Sequence, residues 1–211
     1  GYACYRIFPS LFFLNEEEEF SSLVDEIVNR SRLIPEIDVK KNKIRLMDYL
    51  FPLYVDPRQI YYDLGETKPL KEKTLEFIRL SAPISLEEIR LIFRENVDDC
   101  LKELAKEEAV SIEEDFVYLP DSKIRFRRVD RDKNQYRPLP TVSDRELFDA
   151  IYEVVDYKNS LSKDTLVKMI LLSLGYKKAN AEKYRYVERR IDRLLAKKVI
   201  FIENGLLFRS L

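Results

Sequence analysis

The chain is 211 residues long, 45% hydrophobic and 36% charged, with a formal net charge of −1. That length suits two or three small domains. No apolar run approaches the length a membrane helix needs, so a membrane partner is not expected. The absence of histidine excludes Ser-His-Asp and Cys-His catalysis and every His-ligated metal.

The glycines are Gly1, Gly65, Gly175 and Gly205. No two are close enough to build a phosphate-cradling loop. Cys4 and Cys100 lie far apart, which suits free thiols in a reducing, cytoplasmic setting. No signal-peptide pattern opens the chain. Gly1 in place of Met reads as a fragment of a longer protein or a remnant of tag removal. No cofactor and no metal are expected.

Residues 1–66 read as an N-terminal helical segment. The opening Tyr2-Ala-Cys-Tyr-Arg-Ile-Phe-Pro-Ser-Leu-Phe-Phe13 is apolar enough to need cover from elsewhere. Asn15-Glu-Glu-Glu-Glu-Phe20 starts an acidic-capped helix with Phe20, Leu23, Val24 and Ile27 on its inner face. A second helix is expected from Lys41 to Phe51, stopped by Pro52. Residues 50–55 and 60–62 read as strand or packed loop.

The remainder repeats one pattern twice, over residues 67–120 and 143–211. Ser85-Leu-Glu-Glu88 opens a helix with a capping box, and Ser162 is the N-cap of its counterpart. Leu104-Ala-Lys106 leads into Ala109-Val-Ser-Ile112, an acidic turn and Phe116-Val-Tyr-Leu119. Leu195-Ala-Lys197 leads into Val199-Ile-Phe-Ile202, Asn204-Gly205 and Leu206-Leu-Phe208. An Asn-Gly pair between apolar runs marks a tight hairpin, because the turn needs positive φ.

Each unit thus reads helix, short helix, longer helix, hairpin, the winged helix-turn-helix order. The expected fold is mainly α with short β-hairpins: tandem winged helices behind the N-terminal segment. Core positions in the first unit include Phe77, Ile78, Ile89, Phe93, Leu101 and Leu104, with Cys100 as a small core hydrophobe. In the second they include Leu147, Ile151, Val154, Leu166, Ile170 and Leu174.

Between the units, residues 121–142 form a basic linker. Lys123, Arg125, Arg127, Arg128, Arg131, Lys133 and Arg137 oppose Asp121, Asp130 and Asp132. Ile124 and Phe126 alternate with Arg125 and Arg127, which suggests an edge strand with one basic face. Such a face suits either a nucleic-acid strand or a charged edge that resists aggregation.

The units differ in charge. The third helix of the first, residues 97–108, carries Lys102 and Lys106 against Asp98, Asp99, Glu103, Glu107 and Glu108, a balance of −3. In the second, Tyr184, Val187, Ile191, Leu194 and Leu195 form the inner face. Asn180 is its N-cap, and Gly175 ends the preceding helix. Residues 175–198 carry nine basic and three acidic residues, a balance of +6. The candidate nucleic-acid contacts are Lys177, Lys178, Lys183, Arg185, Arg189, Arg190 and Arg193, with Arg209 added from the hairpin. A solvated face laced with intrahelical ion pairs is the plainer alternative. Tyr186 and Asn180 are the only candidate base readers, so low sequence specificity is expected.

Two spacings suggest chemistry weakly. Asp38-Val-Lys40 follows the acid-x-Lys spacing of a metal-dependent nuclease half-motif without its partner acid. Ser160-Leu-Ser-Lys163 has a nucleophile–base spacing, but capping explains Ser162. Glu16 to Glu19 are more ordinary as a helix start than as a cation site. The fragment is therefore read as non-enzymatic.

Leu147-Phe-Asp-Ala-Ile-Tyr-Glu-Val-Val155, Ser162-Lys-Asp-Thr-Leu166, Leu174-Gly-Tyr-Lys-Lys178 and Val187-Glu-Arg-Arg-Ile-Asp-Arg-Leu-Leu195 carry a resemblance. Over these segments the second unit resembles the C-terminal domain of unknown function of bacterial superfamily-one helicase-like proteins. The resemblance implies a DNA-binding accessory region of a helicase-like or defence protein, its ATPase lying on other sequence. The alternatives are a tandem winged-helix protein-interaction module, contacting a partner through its acidic first unit or N-terminus, and a replication initiator or transcription regulator.

Overall fold

The structure is a computed structural model that describes residues 42–65, 67–93, 96–130, 133, 135–158 and 160–210. The apolar opening, Cys4, the acidic helix start at residues 15–20 and the Asp38-x-Lys40 spacing lie outside the described residues. The chain divides into two compact units, Gly1–Arg45 and Leu46–Leu211. The described elements fall almost wholly in the second. They are mainly helical, with two small antiparallel sheets.

Helix α1 (Asn42–Leu50) ends before Pro52, which lacks the N–H a further turn needs. Helix α2 (Pro57–Asp63) occupies part of the stretch read as strand or loop. Its start is specified by two adjacent residues. Asp56 accepts a hydrogen bond from the Arg58 N–H, and Pro57 presets the first helical φ. Those local signals outweigh the strand preference of Tyr61 and Tyr62.

Two copies of one arrangement follow. The first is α3 (Leu70–Ser81), β1 (Ile84–Ser85), α4 (Leu86–Phe93), α5 (Val97–Lys106), β2 (Ser111–Glu113) and β3 (Phe116–Tyr118). The second is α6 (Asp144–Lys158), β4 (Leu161–Ser162), α7 (Lys163–Ser173), α8 (Ala181–Ala196), β5 (Ile200–Glu203) and β6 (Leu206–Arg209). In each sheet the short strand pairs with the far arm of the hairpin, giving the orders β1-β3-β2 and β4-β6-β5. Ile84 opposes Val117 as Leu161 opposes Leu207.

The two short strands leave no signal of their own in the sequence, because each shares its serine with a helix start. Ser85 and Ser162 serve both elements. Their backbones lie in the sheet, while their hydroxyls accept from the Glu88 and Thr165 N–H groups.

The third helices end alike. Glu108 and Lys198 both take φ 57. The N–H of the residue after each returns to the helix, Ala109 to Leu104 O at 2.9 Å and Val199 to Leu194 O at 3.0 Å. The hairpins then reverse at Glu114-Asp115 and at Asn204-Gly205, the latter pair with φ 51 and 77.

Each copy encloses its own core. The first gathers Phe77, Ile78, Ile84, Ile89, Phe93, Leu101, Leu104 and Val117. Cys100 is only half-buried there. The second gathers Leu147, Ile151, Val154, Leu166, Ile170, Val187, Ile191 and Leu207, and also takes in Leu46, Met47, Phe51 and Phe126.

The connecting segment corrects the sequence reading. Residues 122–127 are not a strand, and among the described residues of the segment the pairing is limited to an isolated bridge between Leu53 and Arg128. Its described arginines, Arg125, Arg127, Arg128 and Arg137, face protein partners. Arg125 pairs with Glu153 at 2.9 Å and donates to Leu50 O. Arg128 pairs with Asp48 at 3.0 Å. Arg127 pairs with Glu146 at 3.0 Å and donates to Ser81 O and Pro83 O at 2.6 and 2.5 Å. Arg137, 1% exposed, makes two 2.8 Å hydrogen bonds to both oxygens of Glu146, itself 0% exposed. Alternation of arginine with apolar residues produced a false strand pattern, because the extended chain alternates between carboxylates and the core.

Glu146 is also the third helical residue behind its cap. Its carboxylate accepts from the Ser143 N–H, and its own N–H donates to the Ser143 hydroxyl. Burial would push the Glu146 carboxyl up. Arg137 and Arg127 outweigh burial and hold it below its ordinary range. A depressed folded-state value stabilises the protein above the unfolded value and loses that contribution as pH falls through the folded one. The cluster should therefore contribute fully above the ordinary glutamate value of about 4.3 and fade below it. Glu146→Gln should cost about 3 kcal/mol at neutral pH by stranding buried arginine charge. It should also flatten the acid limb, as measured by denaturant melts between about pH 3 and pH 8.

Candidate nucleic-acid interface

Helix α8 is positioned from both ends. The Asn180 side chain accepts from the Lys183 N–H at 3.0 Å, and Val187, Ile191 and Leu194 anchor the inner face in the second core. Tyr184 donates from its hydroxyl to Asp164 at the start of α7.

The turn between α7 and α8 is set by Gly175. With φ 89 it receives the reversing position, its N–H reaching Leu172 O and the Tyr176 N–H reaching Leu171 O. The segment before α6 crosses directly over it. A Cβ on Gly175 would lie 2.3 Å from Gln135 O and 2.8 Å from Tyr136 Cα.

The eight residues expected to meet phosphate fall into two groups. Arg190 is 14% exposed, pairs with Asp144 at 2.8 Å and lies 3.7 Å over the Tyr186 ring. Arg193 pairs with the other oxygen of Asp144. Arg209 pairs with Asp156 at 2.8 Å and lies over Tyr152. These three bind helix α6, whose Asp144 and Asp156 the sequence pattern does not place opposite them. Arg190 is thereby a packing residue, which corrects its expected place on the open face.

Arg185 and Arg189 stand on the exposed face of α8, four residues apart and so about 6 Å along the axis. Neither has an ion pair among the described residues. Lys177 and Lys178 are exposed in the preceding turn. Lys183 is half-buried, 4.7 Å over the Tyr176 ring. Tyr186 and Asn180, the candidate base readers, have structural duties. Tyr186 packs under Arg190 and Asn180 caps the helix.

Lys163, which the sequence reading leaves aside, decides the sign of this face. It lies 2.7 Å from Asp192 and 3.9 Å from Glu188, so the helix's later acids are partnered from α7. The first copy carries the opposite charge at matched positions. Counting from the common helix ends, Asp99 stands where Arg189 does, and Glu107 and Glu108 stand where Lys197 and Lys198 do.

The second hairpin is not basic at its tip. Phe201, Ile202 and Leu206 are exposed at 42%, 50% and 36%, next to Glu203.

No family model, curated protein or solved structure matches this chain. No described helix is long and apolar enough to cross a membrane.

Gly175→Ala should cost about 3 kcal/mol, combining a left-handed backbone with a collision against backbone atoms. Gly205→Ala, with nothing within 4 Å of the added carbon, should cost about 1 kcal/mol. Parallel urea titrations of the two variants measure the difference.

Proposed function

We propose that the two copies are winged helix-turn-helix domains and that the second binds nucleic-acid backbone through the outer face of α8. The observation that carries this reading is the pair Arg185 and Arg189 on an exposed helix face whose neighbouring acids are partnered by Lys163. Lys178 and Lys183 extend the same positive field around the helix start. Helix–strand–helix–helix–hairpin order with the 1-3-2 sheet supports the domain assignment.

Contacts of this kind position a protein on phosphates without reading bases, so the binding is of low sequence specificity. The resemblance of the second copy to the C-terminal domain of superfamily-one helicase-like proteins supports reading such binding as that of an accessory, non-catalytic region. The first copy, acidic at the matched positions, is repelled by phosphate and serves as a spacer or protein contact.

The experiment is a salt titration of binding to duplex, single-stranded and forked DNA. With about four basic side chains engaged, the logarithm of duplex affinity should fall against the logarithm of salt with a slope of roughly −3 to −4. Arg185→Glu with Arg189→Glu should weaken binding by at least about tenfold at low salt and lower the slope. Arg190→Gln should leave the slope unchanged and reduce stability by about 1 kcal/mol through the lost Asp144 pair. Absence of binding near ~50 mM salt, or equal binding by the double reversal, would overturn the reading.

A further inference from the structure

The two hairpins have the same outer face and different surroundings. In the first, pairing places Ser111 opposite Tyr118 and Glu113 opposite Phe116, all four on the side away from buried Val117. That side is covered by the start of α6. Arg145 lies 4.8 Å over the Tyr118 ring and reaches Glu113 at 2.6 Å. Tyr118 is 5% exposed as a result.

In the second hairpin, Phe201 opposes Phe208 and Glu203 opposes Leu206, on the side away from buried Leu207. Register therefore matches Phe208 to Tyr118, Leu206 to Phe116 and Glu203 to Glu113. Phe201 and Phe208 are stacked, 5.4 Å between centroids. The aromatic platform and the carboxylate that hold an arginine in the first copy recur in the second. There Phe201 is exposed, Phe208 is half-buried, and the platform is more apolar, with Phe201 replacing Ser111.

We propose that the outer face of the second hairpin is a docking surface for a protein helix whose first turn carries an arginine, held as the first hairpin holds Arg145. The guanidinium stacks on Phe208 and pairs with Glu203, while the apolar part of the turn covers Phe201 and Leu206. A cation over an aromatic face beside a carboxylate gains from both contacts at once. Removal of Phe201 and Leu206 from water supplies the non-directional part. The proposal goes beyond the nucleic-acid reading and is independent of it, because Arg185 and Arg189 are not part of this face.

The test titrates the full chain, labelled with ¹⁵N, with a helix-stapled peptide of residues 141–158, which carries Ser143, Asp144 and Arg145 in native order. Amide shifts should concentrate on residues 201–208. Changing the peptide's Arg145→Glu, or the protein's Glu203→Lys, should each weaken binding about fivefold to tenfold. Combining the two changes should restore it. Glu203 is exposed, and circular dichroism of Glu203→Lys checks that the fold persists. Shifts elsewhere, no shifts at all, equal binding by the Arg145→Glu peptide, or failure of the charge swap to rescue would each overturn the proposal.

Discussion

One buried cluster, Glu146 between Arg137 and Arg127, ties the described structure together. Glu146 starts the first helix of the second copy, and Arg127 donates onward to Ser81 O and Pro83 O at the end of the first copy's opening helix. Arg137 reaches Thr141 O as well, and the Tyr54 ring lies 4.5 Å from its guanidinium. Burying one carboxylate with two guanidinium groups carries a large desolvation cost, offset only when hydrogen bonds are well made, and here every guanidinium nitrogen of the two arginines except the buried Arg137 Nε has a partner. That requirement makes the cluster directional. The carbonyls and the carboxylate must be in place together, which relates the two copies through a connection that would otherwise be a charged coil.

On this scaffold the two copies share their sheet register and helix ends and differ in surface charge and in the lengths of their helices and of one connection. Strand register, helix-end geometry and hairpin placement coincide, down to the left-handed residues Glu108 and Lys198. The connection between the second and third helices, and the third helix itself, are longer in the second copy. The charge is reversed at the matched pairs Asp99/Arg189, Glu107/Lys197 and Glu108/Lys198. A fold tolerates this because exposed side chains contribute little to stability, whereas the sign of the field they create governs which partner approaches.

The arginines show how charge counts mislead. The second copy's third helix is strongly basic by composition, yet two of its arginines are spent on Asp144, a residue more than forty positions earlier. The connecting segment is more extreme, with Arg125, Arg127, Arg128 and Arg137 all bound to carboxylates or carbonyls of the protein. A local window sees a basic stretch. Only the fold shows which cations have already been neutralised, and by what.

Much of the architecture follows from local rules. Asn180 and Ser162 cap their helices, Gly175 and Asn204-Gly205 occupy backbone conformations that disfavour other residues, and Val187, Ile191 and Leu194 fall on one face. Each is settled within a few residues by sterics, capping or periodicity, so the sequence alone determined the mainly helical character and the positions of the second copy's turns. The two-residue strands, the inward arginines, the use of Arg190 and Arg193 on Asp144, and the free face at Arg185 and Arg189 depend on segments far apart in the chain. Ion pairing across such separations leaves no periodic trace, because a carboxylate anywhere can serve. The tertiary structure alone decided those features.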